Sequence, residues 1–434
     1  MAHVVTCFVR NRGAILLTRR SDSVGTFADQ WAGVSGYVEG DPSDADDDAR
    51  RELREEVGLS ESDLRLVRVG APLDVSHDEG EFTVHPFLFE TETRATSPDE
   101  VRRADERGPS TTTNEELAAV TWADPTEMRE RETVPRLWDA WRHVAPTVAD
   151  VREDETHGSA WIAARALEVL RDDAADADDW DSVARTARKL RDARPSMAAV
   201  SNRVNRAMAT ADRTPESVRE RCIDLLRASF DAADGVTTAA TNRLADSDAT
   251  AVATISRSGT VRRVLRESDP DAVVVAESRP EREGVGVAEW AATETDARVT
   301  LTTEAALPAA FSRLDVDAAV VGADAVLPDG GVVNKTGTTG LALAAREAGV
   351  PVYAVATCDK VRPTGEDGVG DESSGWADVY DGEASLSVFA PTFEATAPTL
   401  LDGVVTEAGF ADEADVRDIA EEHAENAAWD DAGG

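Results

Sequence analysis

The sequence predicts an α/β protein in three successive parts, on the strength of three changes of texture along its 434 residues. Residues 1–146 alternate strand-like and turn-like pieces around one strongly amphipathic helix. Residues 157–235 carry apolar residues at i, i+3 and i+4, the spacing of packed helices. From 236 to 434 short, wholly apolar, β-branched runs alternate with helical stretches, which means a parallel sheet covered on both faces. The stretch Ala145–Thr156 is polar and contains Pro146, and 147–156 reads as the linker after the first part.

In the first part Val4–Val9 and Ala14–Thr18 flank Asn11-Arg12-Gly13 and read as a hairpin. Leu64–Val69 and Phe82–Glu90 are further strands, and Thr133–Trp141 is a closing helix with Pro135 in its first turn. Four helices follow, at Trp161–Arg171, Trp180–Ala193, Met197–Ala209 and Pro215–Ala233, the last stopped by Gly235. The sheet strands are Ala251–Ile255, Ala272–Ala276, Arg298–Thr302, Ala318–Val321 and Pro351–Ala356, with helices such as Thr260–Glu267 and Gly340–Ala348 between them. Pro363–Gly375 reads as a surface loop. Ligands on such sheets sit beyond the carboxyl ends of the strands.

The charge balance is extreme, with 85 acidic against 45 basic residues and a net charge of −40. Of the basic residues only Lys189, Lys335 and Lys360 are lysines. An acidic, lysine-poor surface suits a protein working in multimolar salt, where self-repulsion is screened within a few ångströms. Most acidic runs are therefore solvated surface. The same charge argues against a nucleic-acid groove, which needs a basic stripe. No apolar stretch reaches the roughly 18 residues of a membrane span. Met1 leads straight into a strand with no signal peptide, so a cytoplasmic protein is expected. Cys7, Cys222 and Cys358 share no metal-ligand spacing.

The helix around 44–57 carries Ala45, Ala49, Leu53 and Val57 on one narrow inward stripe. Glu52, Glu55 and Glu56 then share one flank, close enough to chelate a hard cation together. Oxygen-only ligation points to Mg²⁺ or Mn²⁺. Ser43 is the expected N-cap and Gly58 the left-handed stop. Read as structure alone, the same helix is one more acidic surface helix.

Trp31-Ala32-Gly33-Val34-Ser35-Gly36-Tyr37-Val38-Glu39-Gly40-Asp41, followed by Arg51-Glu52-Leu53-Arg54-Glu55-Glu56-Val57-Gly58-Leu59, resembles the Nudix box. The resemblance covers about residues 1–146 and implies an α/β/α sandwich with a mixed sheet. It implies that Glu52, Glu55 and Glu56 bind metal, that Gly36 adds its carbonyl and that Arg51 orients the glutamates. The implied reaction is attack of a metal-activated water on the pyrophosphate of a nucleoside-diphosphate-linked substrate. Glu115 or Glu116 would supply an extra base. One departure stands out: Asp41, where the family has a glutamate, follows Gly36 one residue early.

In the last part Ser256-Arg257-Ser258-Gly259-Thr260 follows a strand and opens a helix, so its N–H groups and hydroxyls suit an anion. The alternative is a plain helix cap. Arg279 and Asp324 follow later strands at the same edge, and Lys335 is a lysine in a chain that otherwise uses arginine. Arg194-Pro195-Ser196, Glu277-Ser278-Arg279-Pro280, Val321-Gly322-Ala323-Asp324-Ala325, Asn334-Lys335-Thr336-Gly337-Thr338 and Phe393–Pro398 together resemble the initiation factor 2B alpha/beta/delta family over about 157–410. That family includes ribose-1,5-bisphosphate and methylthioribose-1-phosphate isomerases. It implies a helical part, a Rossmann-like sheet, a phosphosugar or nucleotide ligand, contacts from Asn334 and Lys335, and a homodimer formed through this half. The isomerases place a cysteine where this chain has Ser256, and an Arg-Gly-Ala clamp where it has His157-Gly158-Ser159. Serine is much the weaker nucleophile and acid, so isomerase chemistry is expected to be lost while ligand binding survives.

Three functions follow. The first is a Mg²⁺-dependent Nudix hydrolase with a ligand-binding second domain. The others are a regulatory protein with a non-hydrolysing Nudix module, and a bifunctional enzyme with an active isomerase half.

Overall fold

The computed structural model describes residues 1–92, 116–365 and 378–433. The chain divides into two compact units, Met1–Thr147 with Arg171–Ala177, and Val148–Leu170 with Asp178–Gly434. Among the described residues no helix is long and apolar enough to cross a membrane.

The first unit contains strands β1 (Ala2–Asn11), β2 (Ala14–Arg20), β3 (Trp31–Ala32) and β4 (Val34–Tyr37), then helix α1 (Ala45–Val57). Strands β5 (Arg65–Val69), β6 (Leu73–His77), β7 (Gly80–Glu90) and β8 (Leu117–Ala123) and helix α2 (Leu137–Arg142) follow. The hairpin β1–β2 closes with Asn11 opposite Ala14. Arg12 (φ 48°) and Gly13 (φ 81°) both take the positive φ that a two-residue hairpin loop demands. The sheet is mixed: β7 runs parallel to β1, while β2 and β4 run antiparallel to it. Helix α1 buries Leu53 and Ala49 with Val5, Cys7 and Val9 on one face. Trp141, Leu137 and Ala140 pack with Phe8 and Leu17 on the other. The result is a sandwich with the sheet in the middle.

The second unit opens with helices α3 (Val148–Glu153), α4 (Ser159–Asp176, whose end from Arg171 is grouped with the first unit), α5 (Trp180–Arg191), α6 (Ala198–Ala209) and α7 (Pro215–Asp246). Then come β9 (Ala251–Ile255), α8 (Gly259–Ser268), β10 (Ala272–Ala276), α9 (Glu283–Glu294), β11 (Arg298–Thr302), α10 (Leu307–Arg313) and β12 (Ala318–Gly322). The rest is β13 (Ala325–Val326), β14 (Val332–Lys335), α11 (Thr338–Ala348), β15 (Val352–Val355), β16 (Phe393–Thr396), β17 (Gly403–Thr406), β18 (Gly409–Ala411) and α12 (Glu413–Ala427). The main sheet has the order β11-β10-β9-β12-β15-β17-β18, parallel except for β18. Every residue of β9, β10, β12 and β15 is buried, whereas the edge strand β11 is half-exposed. The strand order reverses between β9 and β12, and such a reversal opens a crevice at the carboxyl edge of a sheet.

Four expectations are corrected. The closing helix starts at Leu137, not Thr133, because Val134 is tied to Trp31 and Arg136 takes φ 60°. The stretch read as a linker folds as α3, with Val151 buried. Gly235 does not stop α7; a Cβ there would come within 3.1 Å of Glu407, so the glycine serves close packing. Ser43 is not the N-cap of α1. Asp41 instead accepts from Ser43 N at 2.9 Å and caps a separate turn, Pro42–Asp44. The loop expected at Pro363–Gly375 lies mostly outside the described residues.

Candidate functional site

Helix α1 is anchored by Ala45, Ala49, Leu53 and Val57, none more than 3% exposed. The helical period then places Glu56 beside the stripe and buried, Glu52 half-buried and Glu55 exposed. Gly58 ends the helix at φ 69°, its N–H donating to Arg54 O at 3.2 Å. Arg51 donates to Glu52 Oε1 at 2.9 Å and to the Tyr37 carbonyl at 3.2 Å. Its other nitrogen pairs with Asp48 and, at 3.4 Å, with Glu39. Asp48 also accepts from Glu39 N at 3.2 Å. This aspartate, buried and central to the helix–loop junction, was not singled out by sequence; in the run Asp44-Ala45-Asp46-Asp47-Asp48 nothing marks the one that points inward.

Gly36 on β4 faces the same helix. A Cβ on it would lie 2.1 Å from the Glu52 carboxylate, so that carboxylate rests directly on the strand backbone. Arg51, Glu52, Glu55, Glu56, Gly36, Glu39 and Arg20 line one cavity of about 610 Å³. Glu116 lines it too; Glu115 lies outside the described residues. Burial, with the charges of Glu52 and Glu116, pushes Glu56 up to about 8, against the pull of Arg20. Burial also raises Glu52, opposed by Arg51. Carboxylates raised together mark negative charge gathered without full compensation.

Among the described residues no three His, Cys, Asp or Glu side chains converge tightly enough to hold a metal ion. Arg51 meanwhile occupies Glu52. The donor types still fit a hard cation, since the carboxylates and the Gly36 backbone offer oxygen, with Arg20 and Arg51 beside them.

In the second unit Ser256, Arg257, Asn334 and Lys335, expected to bind ligand, are already engaged with other side chains, three of them with Glu283. Ser258 Oγ accepts from Val261 N at 3.3 Å and caps α8, which Gly259 and Thr260 open. Ser256 takes φ 65° and donates to Glu283 at 3.0 Å. Glu283 also faces Lys335 at 3.4 Å and the exposed Arg257 at 3.7 Å, and Lys335 pairs with Glu281 at 2.9 Å. Asn334 is buried and donates to Thr338 at 2.9 Å. A Cβ on Gly322 would meet Ser258 Oγ at 2.8 Å, so β12 approaches the α8 N-terminus closely.

Arg279 is exposed and donates instead to the Asp378 carbonyl at 3.1 Å. Asp324 acts electrostatically on the half-buried Lys360, which donates to Ala323 O at 2.5 Å. Burial lowers Lys360, and Asp324 works against that. Lys360 and Glu283 were missed by sequence reasoning. The scarcity of lysine that drew attention to Lys335 applies equally to Lys360. Cys358 is held as a thiol, pushed up to about 12 by burial and then by Glu407.

Comparison with known proteins agrees with both halves. The NUDIX domain matches residues 2–144 and the initiation factor 2 subunit family matches 155–413. A Haloferax volcanii protein described as ribose 1,5-bisphosphate isomerase is 32% identical over 290 residues, covering 61% of this chain and 88% of its own. The Pyrococcus horikoshii OT3 translation initiation factor eIF-2B superposes with a TM-score of 0.51 at 22% identity, covering 61% of this chain and 94% of that one. The 5-methylthioribose 1-phosphate isomerase of the same organism gives 0.50 at 19% identity, covering 71% and 90%. At such identities the two structures speak for the fold alone. The chain belongs to the initiation factor 2 subunit family and carries a NUDIX domain ahead of the family's fold.

Proposed function

We propose that the first unit is a Mg²⁺-dependent hydrolase (Mn²⁺ serving equally) that cleaves the pyrophosphate of nucleoside-diphosphate-linked compounds. One observation carries this reading: Glu52, Glu55, Glu56 and Glu116 line the same cavity as Gly36. A bound divalent ion would lower the pKa of a water and neutralise charge on the phosphoryl oxygens. The chain's own residues do the rest. Arg51 holds Glu52, burial keeps Glu56 ready to exchange a proton for a cation, and Glu116, which lines the same cavity, would take a proton from water. The full chain, assayed with Mg²⁺ in high salt against ADP-ribose, dinucleotides and nucleoside triphosphates, should turn over at least one class. Glu55→Gln with Glu56→Gln should abolish it. Absence of turnover, or turnover unchanged in the double variant, overturns the reading.

The second unit, on the same reading, binds a phosphosugar or nucleotide at the β9/β12 crevice and pairs with a second copy through this half. Its relative's name favours a further activity, the isomerisation of ribose 1,5-bisphosphate. Against that stands Ser256, which occupies the loop after β9 and hydrogen-bonds Glu283. Formation of ribulose 1,5-bisphosphate by the full chain would establish the isomerase, and binding without conversion would leave a ligand-binding module. Binding to an initiation factor 2 subunit without hydrolysis would instead favour a regulatory protein.

A further inference from the structure

The cavity beside α1 has two unlike walls. The carboxylates, Arg20 and Arg51 form one; Phe27, Val75, Phe82, Val134 and Pro135 form the other. Strand β1 is the floor between them, with Val4 lying opposite Tyr37 of β4 on one side and Val84 of β7 on the other. Two interstrand spacings of about 4.8 Å therefore separate β4, next to the glutamates, from β7, which carries Phe82: roughly 10 Å in all. That is the span of a ribose and its first phosphate, between an aromatic base and the phosphorus beyond it.

The aromatic wall is held in place. Phe27 and Phe82 meet with ring centroids 5.9 Å apart, and His77 abuts Phe27 edge-on at 5.1 Å. Phe27 takes φ 50°, an uncommon backbone for a bulky residue. Two contacts pin it there. Glu79 accepts from Phe27 N at 2.5 Å, and Arg20 Nε donates to Thr26 O at 3.0 Å. Arg20 thereby links the aromatic loop to the carboxylate wall, since its charge also acts on Glu56.

We propose that Phe27 is the specificity-determining residue of this site: it stacks the base of a nucleoside diphosphate while the phosphates lie towards Arg20 and the glutamates. The proposal rests on the hydrolase reading only for where the phosphates sit. A stacking platform recognises the π-face that every base offers, so purine and pyrimidine nucleotides are both accepted, and base-free sugar pyrophosphates are not favoured.

The test uses the full chain in high salt, comparing Phe27→Leu, Phe27→Tyr and the parent. Binding of ADP and UDP is measured by calorimetry without added metal, and KM for ADP-ribose and for phosphoribosyl pyrophosphate is measured with Mg²⁺. Phe27→Leu should weaken ADP and UDP binding about tenfold. It should raise the ADP-ribose KM to match, leave phosphoribosyl pyrophosphate unchanged, and be rescued by Phe27→Tyr. Phe27-dependent ADP binding in a protein that hydrolyses nothing would support this proposal while defeating the hydrolase reading. Unchanged nucleotide affinity in Phe27→Leu, an equal loss for the base-free substrate, or no ADP binding by the parent would overturn it.

Discussion

The carboxylate of Glu52 lies on the backbone of Gly36, so close that a Cβ on the glycine would stand 2.1 Å from it. The obstructing atoms are the far end of a flexible side chain, so Gly36→Ala can be accommodated by swinging that end away. Thermal stability should change little. Metal-dependent hydrolysis should fall about 10–100-fold, the usual cost of misorienting a metal ligand. A large loss of melting temperature in Gly36→Ala would show that the contact is structural instead.

Asp48 joins the helix to the preceding loop through Arg51 and Glu39 N. Asp48→Ala removes the buried partner of the half-buried Arg51 guanidinium and should cost about 1–3 kcal/mol. It also frees Arg51 from one of its anchors, so activity should fall beyond what stability explains. Denaturant unfolding alongside kinetics at saturating Mg²⁺ would separate the two effects.

Glu56 gives the first unit a pH dependence of definite sign. Its folded value, about 8, lies above the ordinary glutamate range near 4.5. The folded state therefore favours the protonated group. Its stabilising contribution is complete below about pH 4 and is lost as pH rises to about 8. In metal-free protein the melting temperature of this unit should drop between pH 5 and pH 8, and Glu56→Gln should flatten that slope. Mg²⁺ binds the ionised form, so it should raise the melting temperature more at pH 8 than at pH 5. Equal slopes in parent and variant would contradict the assignment.

Lys335 is nearly buried between Glu281 and Glu283 at the carboxyl edge of the second sheet. Lys335→Gln leaves both carboxylates without that charge. Because Glu281 is partly solvated, the stability cost should be only about 1–2 kcal/mol. Affinity for ribose 1,5-bisphosphate, followed by calorimetry, should fall at least about tenfold, as expected on losing a charge-assisted hydrogen bond to phosphate. Full affinity in the variant would remove Lys335 from the ligand site.

Periodicity and local chemistry determined much of this protein without tertiary information. The inward stripe of α1, its Gly58 stop, the β1–β2 hairpin and the buried strands β9, β10, β12 and β15 all follow from residue type repeated at the period of a helix or strand. The period placed Arg51–Gly58 on that helix, while its chemistry was implied by its resemblance to the Nudix box. What tertiary structure decided is which chemically similar residues do different work. Asp41 and Asp48 look alike in sequence, yet one caps an exposed turn while the other is buried under Arg51. Lys360 and Glu283 became visible only when the strand order brought β12, β15 and α9 to one edge. The aromatic wall depends on the register that sets Val4 between Tyr37 and Val84, pairings between segments 33 and 80 residues apart in sequence (37 − 4 and 84 − 4). Helical and strand periods act over a few residues, whereas register and strand order come from burying one whole face against another.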